Sequence, residues 1–118
     1  MDYFRKGSEI LPAVIMDSGS KSALIKGVSL CEDVSICRQL ALDIKRNIEQ
    51  TPYTDLNIQL SVFNTKAAKL LLDVFRVIKR KRPSLNIHWL YDRSDEEMKE
   101  MGMDYSELLE MDFDISPN

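Results

Sequence analysis

Apolar residues recur at two periods along this chain, and the switches between them lay out the secondary structure. Ala13 to Met16 and Ser22 to Lys26 are short β-prone runs on either side of Asp17-Ser18-Gly19-Ser20. Asp, Ser and Gly clustered between such runs predict a hairpin turn. Gly27 to Leu30 leads to Cys31-Glu32-Asp33, where Asp33 is the expected N-cap of a first helix. There Ile36, Leu40, Ile44 and Ile48 recur every four residues, with Cys37 and Ala41 beside them. Asp43, Lys45, Arg46 and Glu49 fall mainly on the other side, the pattern of an amphipathic helix laid on a sheet. Pro52 breaks it.

Leu56 to Phe63 then reads as a strand, and a helix is expected from about Thr65 to Lys81. Its apolar residues cover most of its circumference, so it should be the most buried helix. Arg76, Lys79, Arg80, Lys81 and Arg82 crowd its end before Pro83, where cations complement the negative end of the helix dipole. Leu85, Ile87, Trp89 and Tyr91 alternate with Asn86, His88 and Leu90, the clearest period-2 strand in the chain. From Ser94 the period is helical again, with Ser94 as cap and Glu97 three residues on, as in a capping box. Met98, Met101, Tyr105, Leu108 and Leu109 supply its apolar stripe, and Gly102 is a point where it could break in two. Met111 to Ile115 closes the chain as a short strand. The order is ββαβαβα(β): one α/β domain over residues 13–115, with an extension at 1–12 and a tail at 116–118. A mixed sheet of four to five strands carries about three helices.

The 118 residues suit one domain with one core. No apolar run approaches the about 20 residues that span a bilayer. Met1 to Ile10 carries Asp2, Arg5, Lys6 and Glu9 and so lacks a signal-peptide core. Cys31 and Cys37 have neither redox-motif nor zinc-ligand spacing, and read as free thiols of a cytoplasmic protein. Net charge is −3; ten acidic and two basic residues from Asp92 onward give −8 there and leave +5 on the remainder. A nucleic-acid footprint usually makes a whole domain basic, and a pI of about 5.2 argues against one.

Catalytic patterns are scarce. His88, the single histidine, lies on a strand with no glycine-elbow nucleophile anywhere in the chain. Four scattered glycines make no phosphate-cradling loop. The acidic run Asp92, Asp95, Glu96, Glu97 lacks the central glycine of a calcium loop. Neither cofactor nor metal is expected. A small enzyme using carboxylates near Glu32 and Asp92 is one alternative. A module sensing a nucleotide or other small molecule beside Thr65, without phosphorylation, is another. The pattern favours a protein that is acted on, or that binds, over an enzyme.

The most informative stretch is Ser61-Val62-Phe63-Asn64-Thr65-Lys66-Ala67-Ala68, where a β-prone run stops and a helical pattern begins at once. A threonine hydroxyl there meets unpaired N–H groups and the positive end of the helix dipole. Phosphorylation would add about −1.5 to −2 charges at that point. Asn and Thr are also good N-caps, which alone would account for both residues.

Several segments together resemble the SiaC family of bacterial regulatory phosphoproteins, small domains similar to the STAS fold of anti-sigma-factor antagonists. They are Lys26-Gly27-Val28-Ser29 with Glu32-Asp33, Phe63-Asn64-Thr65, Trp89-Leu90-Tyr91-Asp92, and a terminal acidic helix followed by Phe113. The resemblance runs from about Ala13 to Ile115. It implies Thr65 as phosphoacceptor, with Asn64 as its capping neighbour. It implies Lys66, Glu32, Asp33, Trp89, Tyr91 and Asp92 as the surrounding partner surface. The implied partners are a Ser/Thr kinase of the histidine-kinase-like ATPase superfamily, a PP2C-type phosphatase and an effector. In the family's best-known system the effector is a diguanylate cyclase, which links it to cyclic-di-GMP and biofilm formation. Two positions depart from the family pattern: Lys66 stands where Ser is usual, and Cys31 where Pro is usual.

Overall fold

A computed structural model describes all residues, 1–118. The elements are β1 (Tyr3–Arg5), β2 (Ala13–Asp17), β3 (Ser22–Ser29), α1 (Val34–Gln50), β4 (Asp55–Phe63), α2 (Thr65–Lys81), β5 (Asn86–Tyr91), α3 (Glu96–Leu109) and β6 (Phe113–Pro117). They form a six-stranded sheet in sequence order. β1, β2 and β3 pair antiparallel; β3 through β6 are parallel. The expected four to five strands become six because Tyr3–Arg5, inside the presumed extension, pairs with Val14–Met16. That run is too short to announce itself by periodicity.

Each parallel pair is joined by a helix, and right-handed crossovers between strands advancing in one direction place all three helices on one face. The residues buried on that face, Val14, Met16, Ala23, Ile25, Leu56, Ile58, Leu60, Ile87, Trp89 and Tyr91, meet Leu40, Ile44, Ile48, Leu71, Val74, Phe75, Ile78, Met98 and Tyr105 in one core. At about 25 cal/mol per Å² of apolar surface, this single layer is the main stabilising term. The opposite face carries no helix. Register aligns Phe4, Ile15, Leu24, Asn57, His88 and Asp114 in one row across it.

Four local expectations change. Ile36 on α1 and Leu108 on α3 are exposed rather than part of the apolar stripes. Ser94 does not cap α3, because its hydroxyl donates to Asp92 Oδ1 at 2.6 Å. Asp95 takes the cap, accepting the Met98 N–H at 3.0 Å, so no capping box forms with Glu97. Gly102 leaves α3 unbroken; a Cβ there would lie 2.4 Å from Trp89 Cδ1. The glycine lets the helix sit directly on the indole. The basic end of α2 also reaches further than its own dipole: Arg82 donates to the Ile48 and Glu49 carbonyls of α1, and Lys79 to the Leu109 carbonyl of α3.

Candidate functional site at the helix N-termini

Because β3, β4 and β5 are parallel, their C-terminal ends share one edge of the sheet, and the three helices begin there. Their N-caps are Asp33, Asn64 and Asp95. The chain reaches Asn64 through an irregularity: Gly27, at φ 113°, opposes Leu60, and Val28 opposes Val62, so Ser61 is an extra residue. This bulge ends the strict alternation of β4, leaves Val62 half exposed and turns Phe63 against the core.

Asn64 does the capping. Its Oδ1 accepts the Ala67 N–H at 3.0 Å and the Cys31 N–H at 3.1 Å. One carboxamide thus fastens the β3–α1 loop to the first turn of α2. Thr65 is the first helical residue, it is exposed, and its hydroxyl plays no part in the cap. The first-turn N–H groups of Thr65 and Lys66 precede the helical ladder and are free for an anion. Lys66 is exposed beside them.

Glu32 and Asp33 are exposed in the loop bonded to Asn64, with Asp33 Oδ1 occupied by the Ser35 and Ile36 N–H groups. Trp89 is 1% exposed, edge-on to Phe63, with its indole N–H donating to the Met98 carbonyl. Tyr91 is buried too. Both lie beneath the surface implied for them, since alternation turns them toward the helices. Asp92 is exposed and bound to Ser94, whose hydroxyl and N–H hold its carboxyl below the usual range. No hydrogen bond links Asp92, Glu32 or Asp33 to Thr65.

Thr65 instead borders a groove between α2 and α3 of about 250 Å³, lined also by Ala68, Leu72, Met101, Tyr105 and Leu108, with Lys69 and Asp104 at its sides. The Tyr105 hydroxyl donates to the Ala68 carbonyl, tying the two helices beneath it. Between the end of β4 and α3, Glu97, Glu100 and Asp104 line an acidic cleft with Val62 and Phe63. Of the apolar stripe expected on α3, Met101 packs partly against the core while Leu108 is exposed, and Leu72 of α2 joins them in the groove. The one signal that separates them is that α2 and α3 each carry more apolar positions than a single sheet can cover. His88 lies away from this edge, on the open face, between Asp114 (2.9 Å) and Asp55 (2.7 Å).

A protein-family model described as SiaC family regulatory phosphoprotein matches residues 5–118. Among solved structures, one match is a chain in the crystal structure of the diguanylate cyclase SiaD in complex with its activator SiaC from Pseudomonas aeruginosa. It has a TM-score of 0.84 and 22% identity over 99% of this chain and 100% of that one. Apo-SiaC from the same organism matches with a TM-score of 0.73 and 17% identity, over 100% and 98%. A further SiaC structure from Pseudomonas aeruginosa gives 0.77 and 19%, over 100% and 99%. No curated protein sequence matches significantly. No helix is long and apolar enough to cross a membrane. With the family model spanning nearly all of its length, the chain belongs to the SiaC family of regulatory phosphoproteins.

Proposed function

We propose that this protein is a regulator without catalytic activity, switched by reversible phosphorylation of Thr65, and that the unphosphorylated form binds an effector. The observation that carries the reading is the placement of Thr65: an exposed, non-capping hydroxyl at a helix N-terminus on the rim of an apolar groove. Unmodified, the Thr65 hydroxyl adds no charge to that rim, which suits a partner that covers the groove. Phosphorylated, it carries a hydrated dianion that the helix dipole tolerates, at about 0.3–1 kcal/mol in favour. A partner that desolvates the rim would lose affinity, because an uncompensated buried charge costs several kcal/mol. The switch therefore acts on binding and leaves the fold intact.

Membership of a family described as regulatory phosphoproteins supports this reading, as does a structural neighbour in complex with a diguanylate cyclase. A diguanylate cyclase is accordingly the effector class proposed here. The modifying pair is a Ser/Thr kinase of the histidine-kinase-like ATPase superfamily and a PP2C-type phosphatase, all in the cytoplasm, where ATP is at hand. A nucleotide sensor is not favoured, since the four scattered glycines build no phosphate-cradling loop. Phosphopeptide mass spectrometry on protein from its own cells, with a Thr65→Ala strain as control, tests the switch. A phosphate on Thr65 that is absent from the control is expected. A fully covered, unmodified Thr65 peptide across growth conditions would overturn it.

A further inference from the structure

We propose that Cys31 and Cys37 form a redox modification site: a hydroperoxide converts the pair to an intramolecular disulfide that loosens the cap beneath Thr65. Both cysteines are free and buried, at 3% and 8% exposure. With Leu11 and Ala67 they make a small cluster separate from the main core. Their meeting follows from the helix start. With Asp33 as N-cap, Cys37 is the fourth helical residue and Cys31 lies two residues ahead of the cap. That is close to the hydrophobic staple, in which a residue before the cap packs on the fourth helical position. Burial, and then the Cys31 thiol alongside, push the Cys37 thiol up to about 12.

The cluster is wired to the switch. The Cys31 N–H and the Ala67 N–H share Asn64 Oδ1, so a shift of Cys31 is felt in the first turn of α2. The Cys37 side chain also has room beside it: a cavity of about 50 Å³ is lined by Leu11, Cys37, Phe63, Ala67 and Leu70. Sulfurs must close to about 2.05 Å in a disulfide, which contact alone does not provide. The cavity gives the Cys37 side chain that slack. Cys31, in the loop, is the thiol oxidised first, and Cys37, in the first turn of α1, resolves it. Its sulfur takes an oxygen from hydrogen peroxide, giving a sulfenic acid and one water. The Cys37 sulfur then displaces the second water as the S–S bond forms. Two thiols lose two hydrogens, and one peroxide becomes two waters. Drawing Cys31 toward α1 takes its N–H from Asn64 and weakens the cap under Thr65. The consequence for phosphorylation rests on the function proposed above; the disulfide and its effect on the cap do not.

The test treats the full-length folded protein with hydrogen peroxide and reads intact mass, non-reducing peptide maps and amide hydrogen exchange. The expected result is a loss of two hydrogens, a Cys31–Cys37 linked peptide, and exchange at Ala67 faster by about tenfold. Dithiothreitol should reverse all three. Cys31→Ser and Cys37→Ser should each abolish the mass loss, and the wild-type peptide map decides the matter should either variant fold poorly. Oxygen adducts, disulfide-linked dimers, or an inert folded protein whose unfolded form reacts would each overturn the proposal. So would a disulfide that leaves Ala67 exchange unchanged. Absence of phosphate from Thr65 in both redox states would sink the phosphoswitch alone.

Discussion

Thr65→Ala removes a hydroxyl from an exposed first-turn position whose cap is made by its neighbour. Its unfolding free energy in urea should stay within about 0.5 kcal/mol of wild type, while phosphorylation is lost. Asn64→Ala should cost about 1–2 kcal/mol in the same assay, because the Ala67 and Cys31 N–H groups both lose their acceptor. Equal losses for the two variants would mean that Thr65 has a structural role absent from this geometry. On the open face, hydrogen bonds to Asp114 and then Asp55 raise the His88 pKa above its ordinary 6.5, against partial burial. The same bonds hold Asp55 and Asp114 below 3.8. A raised histidine contributes stability that is complete below its unfolded pKa and is lost as pH rises through the folded one. The lowered carboxylates contribute above 3.8 and lose that contribution as pH falls through their folded values. The cluster therefore stabilises most between about pH 4 and pH 6.5. From about pH 6 to about pH 9, wild type should lose more stability than His88→Gln, measured by urea unfolding at each pH; parallel curves would contradict the charged cluster.

At the scale of elements, α3 depends on one missing side chain. Gly102→Ala gains up to about 1 kcal/mol of helix propensity. Its Cβ, however, would sit 2.4 Å from Trp89 Cδ1 in a fully packed layer. The overpacking should win, for a net cost of about 1–3 kcal/mol. Trp89 fluorescence should shift to the red as α3 lifts from the sheet. A neutral or stabilised variant would show that α3 slides without loss. The ends of the helices cooperate in the same way, since Arg82 and Lys79 of α2 satisfy the terminal carbonyls of α1 and α3. Such a role is invisible in a basic run read by itself. The helical periods did predict three helices with starts near the observed ones, because period and cap residues are local properties.

Over the whole molecule, the apolar surface is uneven. One face of the sheet is covered by three helices, while the α2–α3 groove stays open beside Thr65. A phosphomimetic Thr65→Glu should leave Tm within a few degrees of wild type. It should lower affinity for the effector at least about tenfold, read by titration calorimetry with a purified diguanylate cyclase. Unchanged affinity would separate Thr65 from the binding surface. Removing residues 1–5 should lower Tm by several degrees. It takes away β1, the Asp2–Tyr53 hydrogen bond at 2.6 Å and the Tyr3–Asp43 hydrogen bond at 3.2 Å. An unchanged Tm would make β1 an ornament of the sheet.

The sequence by itself determined the α/β class, the element order from Ala13 onward, the cap at Asp33 and the strand-to-helix junction at Thr65. Each depends on residues a few positions apart, where period, propensity and capping chemistry decide. Tertiary structure alone decided that the Asn64 cap also fastens the β3–α1 loop, through a bond to Cys31 across 33 residues. It decided that β1 joins the sheet, and that Leu72 and Met101, partly buried against the core, and the exposed Leu108 line a groove between α2 and α3. A helical pattern tells which residues are apolar, not which of them a neighbouring element will cover. That depends on how far apart the sheet holds its helices, which no local pattern records.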